Sequence, residues 1–407
     1  MVTLLNKHYL FRNVIILLII SSISITGCWS MKELNNLAII LATGIDRNND
    51  GKILLTVQIA RPSAFGGAGG KTAGYQENNV WVISETGDTV LDARKKLEQK
   101  VPRRVYWGHN SVLVVGKEMA QQDIRQAIDF FTRSTIVRET MWVVTARGKA
   151  SELLNSHSQL ETSSAQSVDK MIKSGVGVQL NLKDLSMTLA SDGNPVLPAM
   201  ELTPSGVPQG PGLEENLPEV KQGEQKQTMV HGEITITGSA VYKGEKLIGW
   251  LNMMETRGLL WLKKQIKRGF VTIPSIGDTD EKVTVRVTES STNVEPYYDG
   301  EDIWIDVTIE TEGDVLEHQS TVDLTKPENI YALDRKLSNE IKQSMLDVLN
   351  KAQDEYRVDI FGFGDIFHRK YVKDWVKIKN QWDDKFANAQ VNITVKSDIR
   401  RSGLITK

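Results

Sequence analysis

The chain contains a single cysteine, Cys28, whose position constrains both how the protein folds and where it resides. One thiol allows no internal disulfide, so packed apolar cores must stabilise the 407 residues. Cys28 follows an apolar run from Val14 to Ile20 and a stretch of small residues that ends at Gly27. Lys7 and Arg12 precede the apolar run. This arrangement is typical of a secretory signal peptide over residues 1–27.

The residues around the cleavage point further predict a lipid anchor. The apolar run is too short to span a bilayer, which takes about 20 apolar residues in a helix. A small residue, a glycine and then Cys28 form the pattern of a bacterial lipobox, in which diacylglycerol joins the cysteine sulfur and the new amine is acylated. Several buried acyl chains hold a protein stably on a membrane. A plain secreted protein with a buried thiol near its start is the alternative.

The charge balance argues against nucleic acid as a partner. The chain has 49 Lys and Arg against 51 Asp and Glu, a formal charge of −2. Removal of residues 1–27 takes away two basic side chains and no acidic one, so the remaining chain is more negative. Nucleic-acid binding needs a net basic face instead. The length suggests two or three domains, each large enough to bury its own core.

Hydrophobic patterns predict mixed sheets covered by helices in the first half of the chain. Leu37 to Ile45 and Ile53 to Ile59 read as strands of a hairpin, joined by a turn that contains Asp50 and Gly51. Predicted strands then alternate with predicted helices. Residues 65–72 nearly spell a phosphate-binding loop, but the first glycine is missing and no helix follows, so we predict a surface loop there.

Prolines, glycines and polar residues crowd together over 194–228, which predicts a linker or long loop. We therefore expect a signal peptide over 1–27, an N-terminal mixed α/β domain over 28–193 and a C-terminal α+β domain over 229–407, the last with one or two lobes. Strict alternation from Ile303 to Ile309 indicates antiparallel strands in that last part. The fold class is α+β, a multi-lobed body with mixed β-sheets flanked by helices.

No catalytic or metal-binding pattern is found in the sequence. There is no G-x-S-x-G motif for a serine nucleophile. The six histidines are scattered, and none is spaced for a zinc site. We therefore predict a protein that is not an enzyme and that holds no metal or cofactor.

Two aromatic clusters are candidates for contact with a protein partner. The first contains Trp250, Arg257 and Trp261, and the second contains Trp375 and Trp382. Trp and Arg are enriched at interface hot spots, which favours a contact role. Packing in the core is the alternative for both clusters, with Arg257 paired to Glu255 or to a carbonyl oxygen.

Several segments together resemble the Ger(x)C family of spore germination lipoproteins. The resemblance begins at 27–29 and continues through 44–46, 109–115 and 130–133. It is strongest over 249–261 and 359–382, and it extends to the last residues, 399–404. The family usually has an acid after the tryptophan that follows the lipidated cysteine, whereas this chain has Ser30.

The resemblance implies a non-enzymatic subunit of a nutrient germinant receptor in spores. It implies a body of three lobes with mixed sheets, held by lipid on the outer face of the inner spore membrane. It also implies assembly with two integral membrane partners, the A-type and B-type subunits, to which germinant sensing is mainly assigned. A substrate-binding lipoprotein of an importer is the alternative, although such proteins usually have two similar doubly wound lobes.

Overall fold

The protein is described by a computed structural model over residues 12–13, 15–16, 36–61, 79–156, 160–204, 232–266, 269–277 and 280–401. Cys28 and the glycine-rich segment 65–72 lie outside the described residues. Within those ranges, no helix is both long enough and apolar enough to cross a bilayer.

A nine-stranded mixed sheet forms the larger part of the fold. Its strands are β1 (Leu37–Arg47), β2 (Ile53–Ala60), β3 (Val80–Gly87), β4 (Arg104–Tyr106), β5 (Val112–Val115), β6 (Trp142–Ala146), β7 (Val196–Pro204), β8 (Gly232–Lys243) and β9 (Lys246–Leu251). The order is β3-β2-β1-β5-β6-β7-β8-β9, and β4 pairs with the start of β1. The strands from β1 through β5 and β6 to β7 are parallel, whereas the pairs at both ends of the sheet are antiparallel.

Six helices cover the two faces of this sheet. They are α1 (Val90–Glu98), α2 (Lys117–Gln122), α3 (Ile124–Arg133), α4 (Ala150–Asn155), α5 (Ser164–Lys173) and α6 (Leu182–Ala190). Strand β5 shows why both faces are apolar: Leu113 and Val115 pack in one cluster with α1, α2, α3 and α6, while Val112 and Val114 pack in another with α4 and α5. The side-chain period of two in a strand produces this division.

Two buried polar side chains of the sheet hold the helices of the second face. The Asp46 carboxylate accepts hydrogen bonds from the amides of Ala150 and Ser151, at 2.7 and 2.9 Å, at the start of α4. Burial raises the pKa of Asp46, although these hydrogen bonds oppose the shift. Gln58 accepts from the amide of Ala165 at 3.2 Å at the start of α5. Each helix start is therefore positioned by a strand residue about 100 positions earlier.

A second, four-stranded sheet and a long helix form the rest of the described fold. The strands are β10 (Gly269–Pro274), β11 (Lys282–Tyr298), β12 (Ile303–His318) and β13 (Gln390–Arg401), in that order. The first three are antiparallel and β13 runs parallel to β12. The helices are α7 (Met253–Leu262), α8 (Pro327–Asn350), α9 (Phe363–Lys370), α10 (Val372–Ile378) and α11 (Trp382–Asn388). A π turn over Lys351–Tyr356 continues α8, and a 3₁₀ turn over Lys379–Gln381 precedes α11.

The two sheets confirm the predicted α+β class, with mixed sheets flanked by helices. Part of the segment 194–228, predicted as a linker, is the strand β7 instead. β7 pairs with β8 along its whole length, and its apolar side chains Leu197, Ala199 and Met200 are fully buried. The prolines of this segment suggested a break in structure. The strand accommodates them because β7 pairs with its other neighbour, β6, only at Ala199 and Met200. Pro198 and Pro204 therefore need no amide for that second ladder.

Candidate functional site at the junction of the two sheets

The two tryptophan-bearing segments of the sequence contribute side chains to one apolar cluster. Residues 249–261 form the end of β9 and most of α7, while residues 359–382 run from the loop before α9 to the start of α11. Lys263, directly after α7, donates from Nζ to the carbonyl oxygen of Ile360 at 3.2 Å. We name these two segments together the junction.

A capping box begins α7 and is connected to the end of α8. The Asn252 side chain accepts from the amide of Glu255 at 2.9 Å, and the Glu255 carboxylate accepts from the amide of Asn252 at 2.7 Å. Lys351 donates from Nζ to both oxygens of this carboxylate, at 3.0 and 3.1 Å. Glu255 is therefore bound to Lys351, and the predicted pairing of Arg257 with Glu255 is not found.

Tyr356, at the end of the π turn, fixes the backbone of Trp250. Its hydroxyl accepts from the Trp250 amide at 3.1 Å and donates to the Trp250 carbonyl oxygen at 3.0 Å. The Tyr356 ring lies so close to Gly249 that a Cβ there would be 2.5 Å from ring atoms. On the other side, the Arg147 guanidinium lies 4.7 Å from the centre of the half-buried Trp250 ring.

The rest of α7 packs into the core that the two sheets share. Trp261 is only 1% exposed, and it belongs to the apolar cluster that includes α8 and the second sheet. This burial leaves no Trp261 surface for a partner, which corrects its prediction as a contact residue. Arg257 is half-buried, and burial lowers the pKa of its guanidinium while Glu340 opposes the shift. Within the described chain Arg257 has no ion pair or side-chain hydrogen bond.

A single buried carboxylate organises the second segment of the junction. Asp359 accepts hydrogen bonds from four successive backbone amides, those of residues 361–364, at 2.7 to 3.3 Å. It also accepts from the indole Nε1–H of Trp382 at 3.0 Å. The chain closes around the carboxylate because Gly362 takes a positive φ of 81°. The loop and the start of α9 are thus fixed to α11 through one side chain.

The aromatic side chains around this loop differ in exposure. Trp382 is 7% exposed and packs in the core, so its prediction as a contact residue is corrected as well. Trp375 is half-buried, stacks on His368 with centroids 5.3 Å apart, and meets Trp382 edge-on at 5.2 Å. Trp375 and Trp382 lie on separate helices, α10 and α11, whose packing brings them together.

The junction holds elements together and has no evident reactive group. The carboxylates of Asp359 and Glu255 are both occupied by several donors. Burial lowers the pKa of Lys263, while Asp359 and Asp365 oppose that shift. Across the part of the chain that is described, no group of three or more His, Cys, Asp or Glu side chains is arranged to hold a metal ion.

Sequence reasoning missed the residues that hold the junction together. Tyr356, Lys351 and Arg147 contact partners about 100 positions away, and no local pattern signals such pairs. Asp359 had a weak signal, because an aspartate shortly before Gly362 and Gly364 is typical of a side chain that binds following amides.

Comparison with known proteins identifies the family. A family model described as "Spore germination protein N-terminal domain" matches residues 30–202, and one described as "Spore germination B3/ GerAC like, C-terminal" matches residues 237–403. Spore germination protein KC of Bacillus subtilis (strain 168) is 28% identical over 400 residues, which cover 96% of this chain and 95% of that protein. Spore germination protein B3 of the same organism is 25% identical over 399 residues, which cover 95% of this chain and 96% of that protein.

The fold is also similar to that of a solved structure from the same group of proteins. The crystal structure of the GerBC protein matches with a TM-score of 0.57 at 18% identity, covering 88% of this chain and 97% of that chain. Neither family model is that of a catalytic family. The chain therefore belongs to the Ger(x)C family of spore germination proteins, a non-enzymatic family with a role in germination.

Proposed function

We propose that this protein is a lipid-anchored, non-enzymatic subunit of a nutrient germinant receptor in spores. The observation that carries the proposal is the match of two germination family models to both halves of one chain, together with relatives aligned over nearly its whole length. The junction supports a role through protein contacts, since its polar groups are used to join elements rather than left free for chemistry.

The anchor in this proposal is Cys28, which carries the lipid after removal of residues 1–27. Its support is the lipobox pattern and the signal-peptide organisation of the preceding residues. Acylation at two positions of Cys28 gives stable binding, whereas one chain gives marginal binding. The body then stays on the outer face of the inner spore membrane, where integral membrane partners are within reach.

The partners in this proposal are the A-type and B-type integral membrane subunits of the receptor. Trp250, Arg257 and Trp375 are the members of the predicted contact set that keep exposed surface. Tryptophan and arginine contribute large shares of binding energy where water is excluded around them. Among the described residues the Arg257 guanidinium has no ion pair or hydrogen bond, which suits an acidic or carbonyl group of a partner.

Substitution of Cys28→Ala tests the proposal. We expect the variant protein to leave the membrane fraction of sporulating cells and the spores to lose their response to nutrients, because the lipid can no longer be attached. Membrane fractionation and loss of optical density after nutrient addition measure the two effects. The matched control is Ser30→Ala, which changes a side chain two positions later and should leave both unchanged.

Two results would contradict the proposal. Full retention of the Cys28→Ala protein in the membrane fraction would show that the anchor is elsewhere. If the wild-type protein is purified from spore membranes without either integral subunit, it is not a subunit of the receptor, even though it is bound to the membrane.

A further inference from the structure

A basic cleft lies at the end of the first sheet where β1 begins. Its volume is about 340 Å³, and Arg61 and Arg103 are its charged lining residues. The other lining residues are apolar: Leu37, Ala38, Ile59, Ala60, Trp81, Val101 and Pro102. Among the described residues, no acidic side chain lines it. We name this feature the anchor-end cleft because of its position in the chain.

The cleft is close in sequence to the predicted lipid attachment. Leu37, the first residue of β1, is nine positions after Cys28. A fully extended chain spans at most about 3.6 Å per residue, so the cleft stays within roughly 30 Å of the lipidated sulfur. A body tethered at Cys28 can therefore bring this end of the sheet to the lipid headgroups.

Three arginines at this end are free to bind an external anion. Arg61, Arg103 and Arg104 have no ion pair or side-chain hydrogen bond in the described part of the chain. Arg104 lies beside Leu37, because the two residues are partners in the parallel pairing of β4 with β1. The described charged residues that line the cleft are cationic, although the whole chain has a formal charge of −2. Guanidinium groups match phosphate oxygens in geometry and charge.

The apolar part of the cleft fits the same kind of surface. Trp81 is half-buried at the cleft, next to apolar side chains of β1 and β2. Tryptophan is enriched where membrane proteins meet lipid headgroups, because its ring is apolar and its N–H is polar. Arginines and a tryptophan around an apolar cleft are thus complementary to an anionic phospholipid surface.

We propose that the anchor-end cleft docks on anionic phospholipid, with Arg61, Arg103 and Arg104 bound to headgroup phosphates. The inference rests on the proposed lipid anchor at Cys28 and adds an orientation of the body to it. Because the tether keeps the cleft at a high effective concentration near the membrane, weak contacts suffice to orient the body. The docked end is then fixed at the bilayer, and the rest of the surface stays available to the receptor partners.

The test uses the full-length lipidated protein in vesicles. Since Cys28 is acylated, Gln99→Cys introduces one reactive thiol, on an exposed residue near the cleft, for a fluorescent label. Energy transfer from this label to an acceptor lipid reports docking. We expect stronger transfer in vesicles with phosphatidylglycerol than in pure phosphatidylcholine, and a loss of the difference at 1 M salt, where screening acts over about 3 Å.

The triple variant Arg61→Gln, Arg103→Gln, Arg104→Gln should abolish the preference for anionic vesicles. One basic residue at an anionic surface shifts the docked population by roughly fivefold, so three shift it on the order of 100-fold. The matched control removes three charges elsewhere, from exposed residues that also have no ion pair in the described chain: Arg369→Gln, Lys373→Gln and Lys379→Gln. The control should keep the preference.

The outcomes separate this inference from the proposed function. Failure of the wild-type protein to float with vesicles of either kind contradicts the lipid anchor itself. Flotation with equal energy transfer in both kinds of vesicle overturns the docking inference alone. An equal loss of the preference for anionic vesicles in the control variant also overturns it, because that result would indicate an effect of net charge. If the arginine variant keeps its lipid preference but no longer co-purifies with integral subunits, the cleft binds protein and the lipid inference is wrong.

Discussion

At the residue scale, the junction depends on side chains that satisfy backbone groups. Asp359 accepts four amide donors and one indole donor, which is what a nearly buried carboxylate needs to offset its lost hydration. The single hydroxyl of Tyr356 satisfies both backbone groups of Trp250, because it accepts from the amide and donates to the carbonyl oxygen. Removal of either group leaves backbone atoms unpaired in a part-buried site.

Tyr356→Phe tests this reasoning with the smallest change available. The variant keeps the ring beside Gly249 but loses the hydroxyl, so the Trp250 amide and carbonyl lose a partner. We expect a decrease of about 1–3 kcal/mol in the free energy of unfolding, measured with urea. The control Tyr331→Phe removes a hydroxyl from a side chain that is 68% exposed, and it should change stability by less than about 0.5 kcal/mol. Equal effects of the two variants would contradict a specific role of Tyr356.

The sequence could identify the aromatic residues of the junction but not their exposure. Trp250, Trp261, Trp375 and Trp382 have the same composition signal, because tryptophan suits both a core and an interface. The structure separates them: Trp261 and Trp382 are buried, while the other two keep surface. Exposure depends on elements that come together from distant parts of the chain, such as Tyr356 against Gly249, so local pattern could not supply it.

At the element scale, the crossing of α7 and α8 is the closest helix contact of the junction. Gly258 of α7 lies against α8 so closely that a Cβ there would be 2.0 Å from the carbonyl oxygen of Ser344. Glycine within a helix usually costs about 1 kcal/mol relative to alanine. The close approach of the α7 and α8 backbones explains why a glycine is present at position 258. Trp261 of the same helix is buried in the core that the two sheets share.

Gly258→Ala is therefore expected to destabilise the protein although alanine favours helices. The added methyl group forces α7 away from α8, and overpacking of this kind costs about 1–3 kcal/mol. Thermal unfolding followed by circular dichroism measures the effect as a lower midpoint. Met254→Ala on the exposed side of the same helix is the control, since Met254 is 59% exposed. An unchanged or higher midpoint for Gly258→Ala would show that the two helices separate without cost.

Elements with a clear period were predicted well, and elements with mixed signals were not. The hairpin of β1 and β2 is confirmed. The apolar stripe after Pro327 predicts a long helix to about Tyr356, and α8 with its π turn covers this range. The apolar residues from Gly116 through Phe131 predict one helix, but the structure has two, because Asp123 ends the first and caps the second. Strict alternation predicts a strand over Val283 to Val287, but β11 extends to Tyr298. In its middle, exposed polar residues alternate with half-buried ones and hide the apolar period.

At the scale of the whole molecule, the fold class was predictable and the connection of the sheets was not. Alternating strands and helices indicated mixed sheets with helical cover. The order of strands depends on pairings between distant segments, such as β7 with β6 and β8, for which the sequence contains no local signal. The second sheet is four-stranded, with β10, β11 and β12 antiparallel, so it does not form a second doubly wound lobe of the kind an importer's binding protein usually has.

The parts of the chain before residue 204 and after residue 232 share an apolar core. β7 pairs with β8 through nine residues, and Val178 and Val196, before the gap, lie in the same cluster as Ile305 and Val307, after it. These contacts predict that the halves of the chain stay associated without the covalent connection. Strand pairing and apolar burial stabilise the folded state whether or not the chain is continuous between residues 204 and 232.

Insertion of a site-specific protease sequence between residues 204 and 232 tests this association in the full chain. After cleavage we expect both fragments to elute together in gel filtration under native conditions, and to separate only in denaturant. The uncut insertion protein is the control, and it should elute at the same volume as the cut one. Because the cut removes the covalent connection, the midpoint of urea unfolding should become dependent on protein concentration. Separation of the fragments without denaturant would show that the strand pairing and the shared core are too weak to hold the two fragments together.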